Sequence, residues 1–144
     1  MIVIKRTLCA ALVSIAAIAN PAQAEDVAAE VSAYRRAHGL PAVQMDSRLN
    51  SLARQQAQAM ASNESISHSV GGNFQSRVAG LNRHLAAENI AAGFTTFSET
   101  LKQWEDSAGH RQNLLMVGAR RIGIASVSKP SSPYRKFWAM LITD

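Results

Sequence analysis

The sequence predicts an α+β domain, on three observations. Apolar residues recur at helical spacing soon after residue 25, a well-formed helix start lies at Thr96–Glu99, and two strand-like runs joined by a Pro- and Ser-rich turn close the chain. Helices followed by an antiparallel hairpin are the pattern of a mixed domain.

The N-terminus reads as a secretory signal. Lys5 and Arg6 give a positive start, and Thr7 to Ala19 form an apolar stretch of 13 residues. Asn20 and Pro21 break it, and Ala22-Gln23-Ala24 is the small-x-small pattern that a signal peptidase reads. A spanning helix needs about 20 apolar residues, so the run predicts a signal peptide over residues 1–24 and no transmembrane anchor after cleavage. Cys9 lies early in the run rather than at the cleavage point, which argues against lipidation. The mature domain, residues 25–144, then has 120 residues, no cysteine, and a secreted or periplasmic location. Packing, helped at most by a metal, must replace the disulfides that staple many small secreted domains. Without Lys5 and Arg6 the 15 basic residues become 13 against 10 acidic ones, a net charge of +3. The basic residues are scattered and carry no interleaved aromatic stripe, so nucleic acid is excluded as a partner.

Asp26 to His38 predicts a helix, with Val27, Val31 and Tyr34 on one face and Gly39 and Pro41 as its stop. Leu40 to Val43 is an extended link. Asp46 is an N-cap for a second helix from Ser47 to about Ala61, whose buried face is Leu49, Leu52, Ala53, Gln56 and Met60. Ser62 to Gly72 is a polar loop, and Asn73 to Val78 a short helical turn closed by Gly80. Leu85 to Ala91 predicts a short strand in spite of its alanines. Thr96-Phe97-Ser98-Glu99 is a capping box that opens a helix with Phe97, Leu101 and Trp104 on its buried stripe. Ser107-Ala108-Gly109 is expected to end that helix and His110 to Leu115 to form a turn. Strands over Arg121–Ser128 and Tyr134–Thr143 follow, joined through Lys129-Pro130-Ser131-Ser132-Pro133.

Three polar segments are rich in titratable groups: Ser67-His68-Ser69, Ala87 to Ala91 with Glu88 and Asn89, and Trp104 to Leu115 with His110. Two histidines and a carboxylate are the ligand count of a catalytic zinc site with one open position. No short motif joins them, and structural hydrogen bonding explains loop histidines equally well.

Taken in order, these segments resemble the CAP superfamily of cysteine-rich secretory, antigen and pathogenesis-related proteins, most closely its bacterial secreted branch. The resemblance begins at Tyr34 to Pro41, runs through Leu49 to Ala53, Met60, Ser67-His68-Ser69, Glu88 to Ala91 and Trp104 to Leu115, and ends at Ile122 to Ala125. It implies an α-β-α sandwich with a small antiparallel sheet between helices. It also implies a cavity of two histidines and two acidic residues, in which some members bind zinc or another divalent ion. His68 and His110 fall on the histidine positions and Glu88 on the first acidic one; the second is Ser107, so the tetrad is incomplete.

Plainer roles stand beside each candidate. Glu88 and Asn89 can serve buried backbone groups, Asn113 reads as a loop clamp, and Arg111 as an ion-pair partner near a helix end. His110, placed after a helix C-terminus, would have its protonated form favoured by the dipole. His84 could share the strand face of Glu88, and His38 reads as a solvent-facing helix end. Trp104, Phe97 and Trp138 read as core or cavity wall, and Asn63-Glu64-Ser65 fits a glycosylation acceptor. Two functions follow. One is a binding module for a small hydrophobic, cell-envelope or protein ligand, with a weakly bound divalent metal such as zinc in a cleft of His68, His110 and Glu88. The other is a metal-dependent hydrolase with Glu88 as ligand or general base. The incomplete tetrad favours the first. A serine triad is disfavoured, because the serines near His68 and His110 lack a Gly-x-Ser-x-Gly elbow. The extracytoplasmic form is expected to begin at Glu25, and mass spectrometry that finds residues 1–24 retained, or Cys9 lipidated, refutes the processing assignment.

Overall fold

The computed structural model describes residues 21–144, with side chains from Val27 onward. The basic start, the apolar stretch and Cys9 lie outside the described residues.

Helix α1 (Pro21–Ala37) starts earlier than expected and takes in the Ala22–Ala24 segment. A proline suits the first helical position, and alanine favours helix. After it, His38 N–H and Leu40 N–H both donate to Arg35 O, and Gly39 supplies the left-handed turn at φ 74°. The link that follows contains a strand the sequence did not announce, β1 (Gln44–Met45), only two residues long. Helix α2 (Ser47–Asn63) starts at the expected cap, where Asp46 Oδ1 accepts from Arg48 N–H and Leu49 N–H. Its buried face is Leu49, Ala53, Gln56, Ala57, Met60 and Ala61. A short helix α3 (Phe74–Val78), capped by Asn73, runs into a tight turn at Ala79–Leu81. Strand β2 (Ala86–Ala92) and helix α4 (Phe97–Asp106) follow, the latter with its full capping box.

The expected turn after α4 is instead a helix, α5 (Ala108–Leu114). Ser107 adopts an extended conformation that ends α4, and its carbonyl then accepts from Arg111 N–H at 2.8 Å to open the next helix. Ser107 thus ends α4, as expected, while Ala108 and Gly109 already belong to the next helix. Strands β3 (Arg121–Lys129) and β4 (Arg135–Thr143) form the expected hairpin.

The sheet order is β1-β3-β4-β2, with β1 parallel to β3 and the other pairs antiparallel. Period-two alternation divides its side chains between two cores. Ala91, Trp138, Met140, Ile142, Ile122 and Ile124 pack with α1 and α4, chiefly on Val31, Leu101 and Trp104. Ile90, Phe137, Ala139, Leu141 and Ala125 pack against α2 on the other side. The result is the α-β-α sandwich.

Two features hold the layers together. Gly123 of β3 lies so close to α2 that an added Cβ would overlap the backbone of Leu49 and Asn50. Arg35 is completely buried on α1. Its guanidinium donates to Pro41 O (2.9 Å), Leu114 O (2.8 Å), Met116 O (3.1 Å) and Ala119 O (3.3 Å), so backbone carbonyls satisfy the charge. Those bonds tie α1 to the end of α5 and the approach to β3.

Gly123→Ala should destabilise the fold by about 1–3 kcal/mol or more, the usual cost of overpacking. Gly109→Ala in α5, where an added Cβ meets nothing within 4 Å, should be neutral or stabilising by up to about 1 kcal/mol. Urea melts compare the two, and an unchanged midpoint for Gly123→Ala would refute the close approach of β3 to α2.

Candidate functional site

The site forms along the outer side of β2, one of the two terminal strands of the sheet. In an antiparallel strand alternate carbonyls point the same way, and here Glu88 O and Ile90 O point away from β4 toward side chains of α4 and α5. Asn113 Nδ2 donates to Glu88 O at 3.2 Å, and Trp104 Nε1 donates to Ile90 O at 3.2 Å. A strand edge that would otherwise invite foreign pairing is covered by two helices.

Neighbouring residues of β2 face opposite sides of the sheet. Asn89 is buried on the α5 side, where its Nδ2 donates to His110 O (3.0 Å) and its Oδ1 accepts from Asn113 Nδ2 (2.8 Å). Asn113 is thus a clamp, as expected, but it acts from a helix rather than a loop. Glu88 turns toward the loop that carries His68, and its side chain is only 2% exposed. Its Oε1 accepts from His68 Nδ1 (2.9 Å) and Arg77 Nη2 (3.0 Å), and its Oε2 accepts from Arg77 Nη1 (2.8 Å). Arg77 further donates through Nη2 to His68 O (3.0 Å) and through Nε to Gly72 O (3.2 Å). The guanidinium also lies over the Phe74 ring at 5.5 Å. From α2, Gln56 Nε2 donates to Ser67 O at 2.7 Å and anchors the same loop.

His110 stands in the first turn of α5, not beyond a helix C-terminus, so the expected dipole effect on it does not apply. Its pKa is lowered from the ordinary histidine value, first by burial and then by the nearby charge of His68. Its Nδ1 is buried with no hydrogen-bond partner among the described residues. Arg111 makes no ion pair among the described residues; it donates to Glu105 O at 2.8 Å and caps the end of α4. Ser107, half-buried, forms the bend between α4 and α5. His84 precedes β2 and is exposed, as is His38, whose Nδ1 lies 2.9 Å from Tyr34 O.

His68 and Glu88 are therefore in direct contact, and the charge of His68 is near enough to bear on His110. They do not form a three-ligand group: among the described residues no three His, Cys, Asp or Glu side chains stand where they could hold a metal ion. Both oxygens of Glu88 are engaged, with Arg77 the dominant partner. Sequence reasoning missed Arg77 and the anchoring role of Gln56. The one available signal was that Arg77 is the sole charged residue between His68 and Arg83.

Comparison with known proteins agrees with the fold. Residues 28–142 match the model of the cysteine-rich secretory protein family, CAP. The Bacillus subtilis protein YkwD is 34% identical over 104 residues, which cover 69% of this chain and 40% of that protein. Among solved structures, an extracellular protein with an SCP domain from Bacillus anthracis superposes with a TM-score of 0.73 at 25% identity, over 85% of this chain and 40% of the other. An outer surface protein of Borrelia burgdorferi has the same fold, with a TM-score of 0.73 at 19% identity over 83% of this chain and 90% of the other.

The lowered pKa of His110 has a sign that can be checked. The fold favours the neutral ring, so the unfolded chain takes up its proton at higher pH than the folded one. The stability this confers is complete above about pH 6.5 and is lost as the pH falls toward the depressed folded value. Thermal melts of wild type and His110→Gln across this range should show a steeper acid loss in the wild type. Parallel curves would refute the assignment.

Proposed function

The chain belongs to the CAP family of cysteine-rich secretory proteins, and from that premise we propose that it is a binding module acting outside the cytoplasm, with a metal-capable cleft built on His68 and His110. One observation carries the choice of binding over hydrolysis. The carboxylate at the site, Glu88, has both oxygens occupied by Arg77 and His68, and Ser107 stands at the second acidic position. A hydrolase needs a base free to take a proton, and Glu88 is not free.

The donor set fits a divalent ion held by two imidazoles. His110 offers a nitrogen without a partner among the described residues, in a setting that favours the neutral ring. His68 offers the nitrogen that does not bond Glu88. Glu88 then serves as the outer carboxylate that orients a ligating histidine, rather than as a ligand itself. When bound, zinc supplies a positive centre that accepts a lone pair from an incoming ligand. Two protein donors leave most of the coordination to water, so the affinity is modest.

The ligand belongs to the small hydrophobic, cell-envelope or protein classes. An extracellular relative supports the location, and no described helix is long and apolar enough to cross a membrane. This chain spans 40% of the length of YkwD, so the activity of such longer relatives is not transferred to it.

Calorimetric titration with zinc tests the site. Binding should weaken as pH falls through the histidine range, near about 6.5, because a protonated imidazole has no lone pair to donate. His68→Ala and His110→Ala should each abolish it, and Glu88→Gln should lower affinity about tenfold to a hundredfold. Equal affinity in wild type and the double histidine variant refutes the metal site. Hydrolysis of an ester or amide by zinc-loaded wild type that disappears in Glu88→Gln would instead establish the enzymatic reading.

A further inference from the structure

Between His68 and Glu88 stands a residue with no counterpart among the expected site groups. Arg77 is a cation whose side chain is only 8% exposed, beside a carboxylate 2% exposed. Its five N–H groups are a rigid fork, and the fork is used on three partners: the Glu88 carboxylate, His68 O and Gly72 O. One side chain thus holds both the outer carboxylate and the main chain of the loop that carries His68.

The chemistry of that arrangement reaches the imidazole. A carboxylate paired in this way can only accept hydrogen bonds. The contact between His68 Nδ1 and Glu88 Oε1, at 2.9 Å, therefore requires the proton of the neutral ring to sit on Nδ1. The lone pair is left on Nε2. His68 itself is more than half exposed, so nothing else in its described surroundings selects one tautomer. The selection depends on Glu88 staying where Arg77 holds it and on the loop staying where Arg77 and Gln56 hold it.

We propose that Arg77 is the positioning residue of this site: by fixing Glu88 and the His68 loop together, it sets the tautomer of His68 and prepares Nε2 as a donor before any ligand arrives. Its bearing on metal binding rests on the cleft proposed above; its control of the tautomer does not. Lysine cannot replace it, because an ammonium lacks the fork that spans a carboxylate and two carbonyls.

The test uses the metal-free protein labelled with nitrogen-15 in histidine. Two-bond proton–nitrogen couplings report which ring nitrogen carries the proton, at a pH well above the ordinary histidine value of about 6.5. Wild type should show His68 protonated on Nδ1. Arg77→Lys, which keeps the charge and is checked for fold by its amide spectrum, should shift His68 toward the Nε2-protonated form. Glu88→Gln should do the same, since its amide can donate as well as accept. Zinc affinity of Arg77→Lys should fall about tenfold to a hundredfold, the range for lost outer-sphere partners. An unchanged His68 tautomer in folded Arg77→Lys overturns the proposal. If wild type binds no zinc while the tautomer still shifts, the metal cleft fails and the role of Arg77 stands.

Discussion

The outer edge of β2 is the constraint on which the rest of this architecture depends. A terminal strand leaves carbonyls that must find donors, at about 1–3 kcal/mol for each buried group left unpaired. Water is largely excluded here, so Asn113 and Trp104 supply the donors. Once they do, α4 and α5 have fixed places against the sheet. The alternation of β2 then sends Asn89 to the α5 side and Glu88 to the loop side, and the site straddles the edge.

The molecule handles two buried guanidinium groups by different means. Arg77 meets a carboxylate, and removing one member of such a pair typically costs about 3–5 kcal/mol because the other charge is stranded. Arg35 meets only carbonyls, which spread the positive charge over four dipoles. The first arrangement is local to the site and orients a histidine. The second is structural and joins segments distant in sequence. For the ion pair, the cost of desolvation offsets much of the Coulombic attraction.

Much of the fold was legible because its signals are local. Asp46 and the Thr96–Glu99 box mark their helix starts through side chains that bond backbone groups two or three residues away. The hairpin was legible from its turn residues. The restart of a helix at Ala108 was not, since a helix that restarts at once has the same composition as one that stops. The two-residue β1 has no periodicity to detect. At the site, His68, Glu88 and His110 could be placed through resemblance to a family, while Arg77 could not be placed by spacing. Its partners lie 9 and 11 residues away across a loop, and no periodic pattern links such positions. Arg35 was harder still, because its acceptors are main-chain carbonyls, which any residue type supplies.

The grip of Arg35 also bears on how the chain comes to be folded. Its acceptors at Leu114 and Ala119 lie 79 and 84 residues further along. Contacts of such separation close large loops, so they form late and slowly compared with local helices. The charge cannot be buried with satisfied donors until the chain has emerged at least as far as Ala119, and the hairpin of β3 and β4 that completes the sheet comes later still. A length of this polypeptide that stops short of the hairpin lacks β3 and β4, the strands with which β1 and β2 pair. The completed fold belongs to the chain that carries both ends of these contacts.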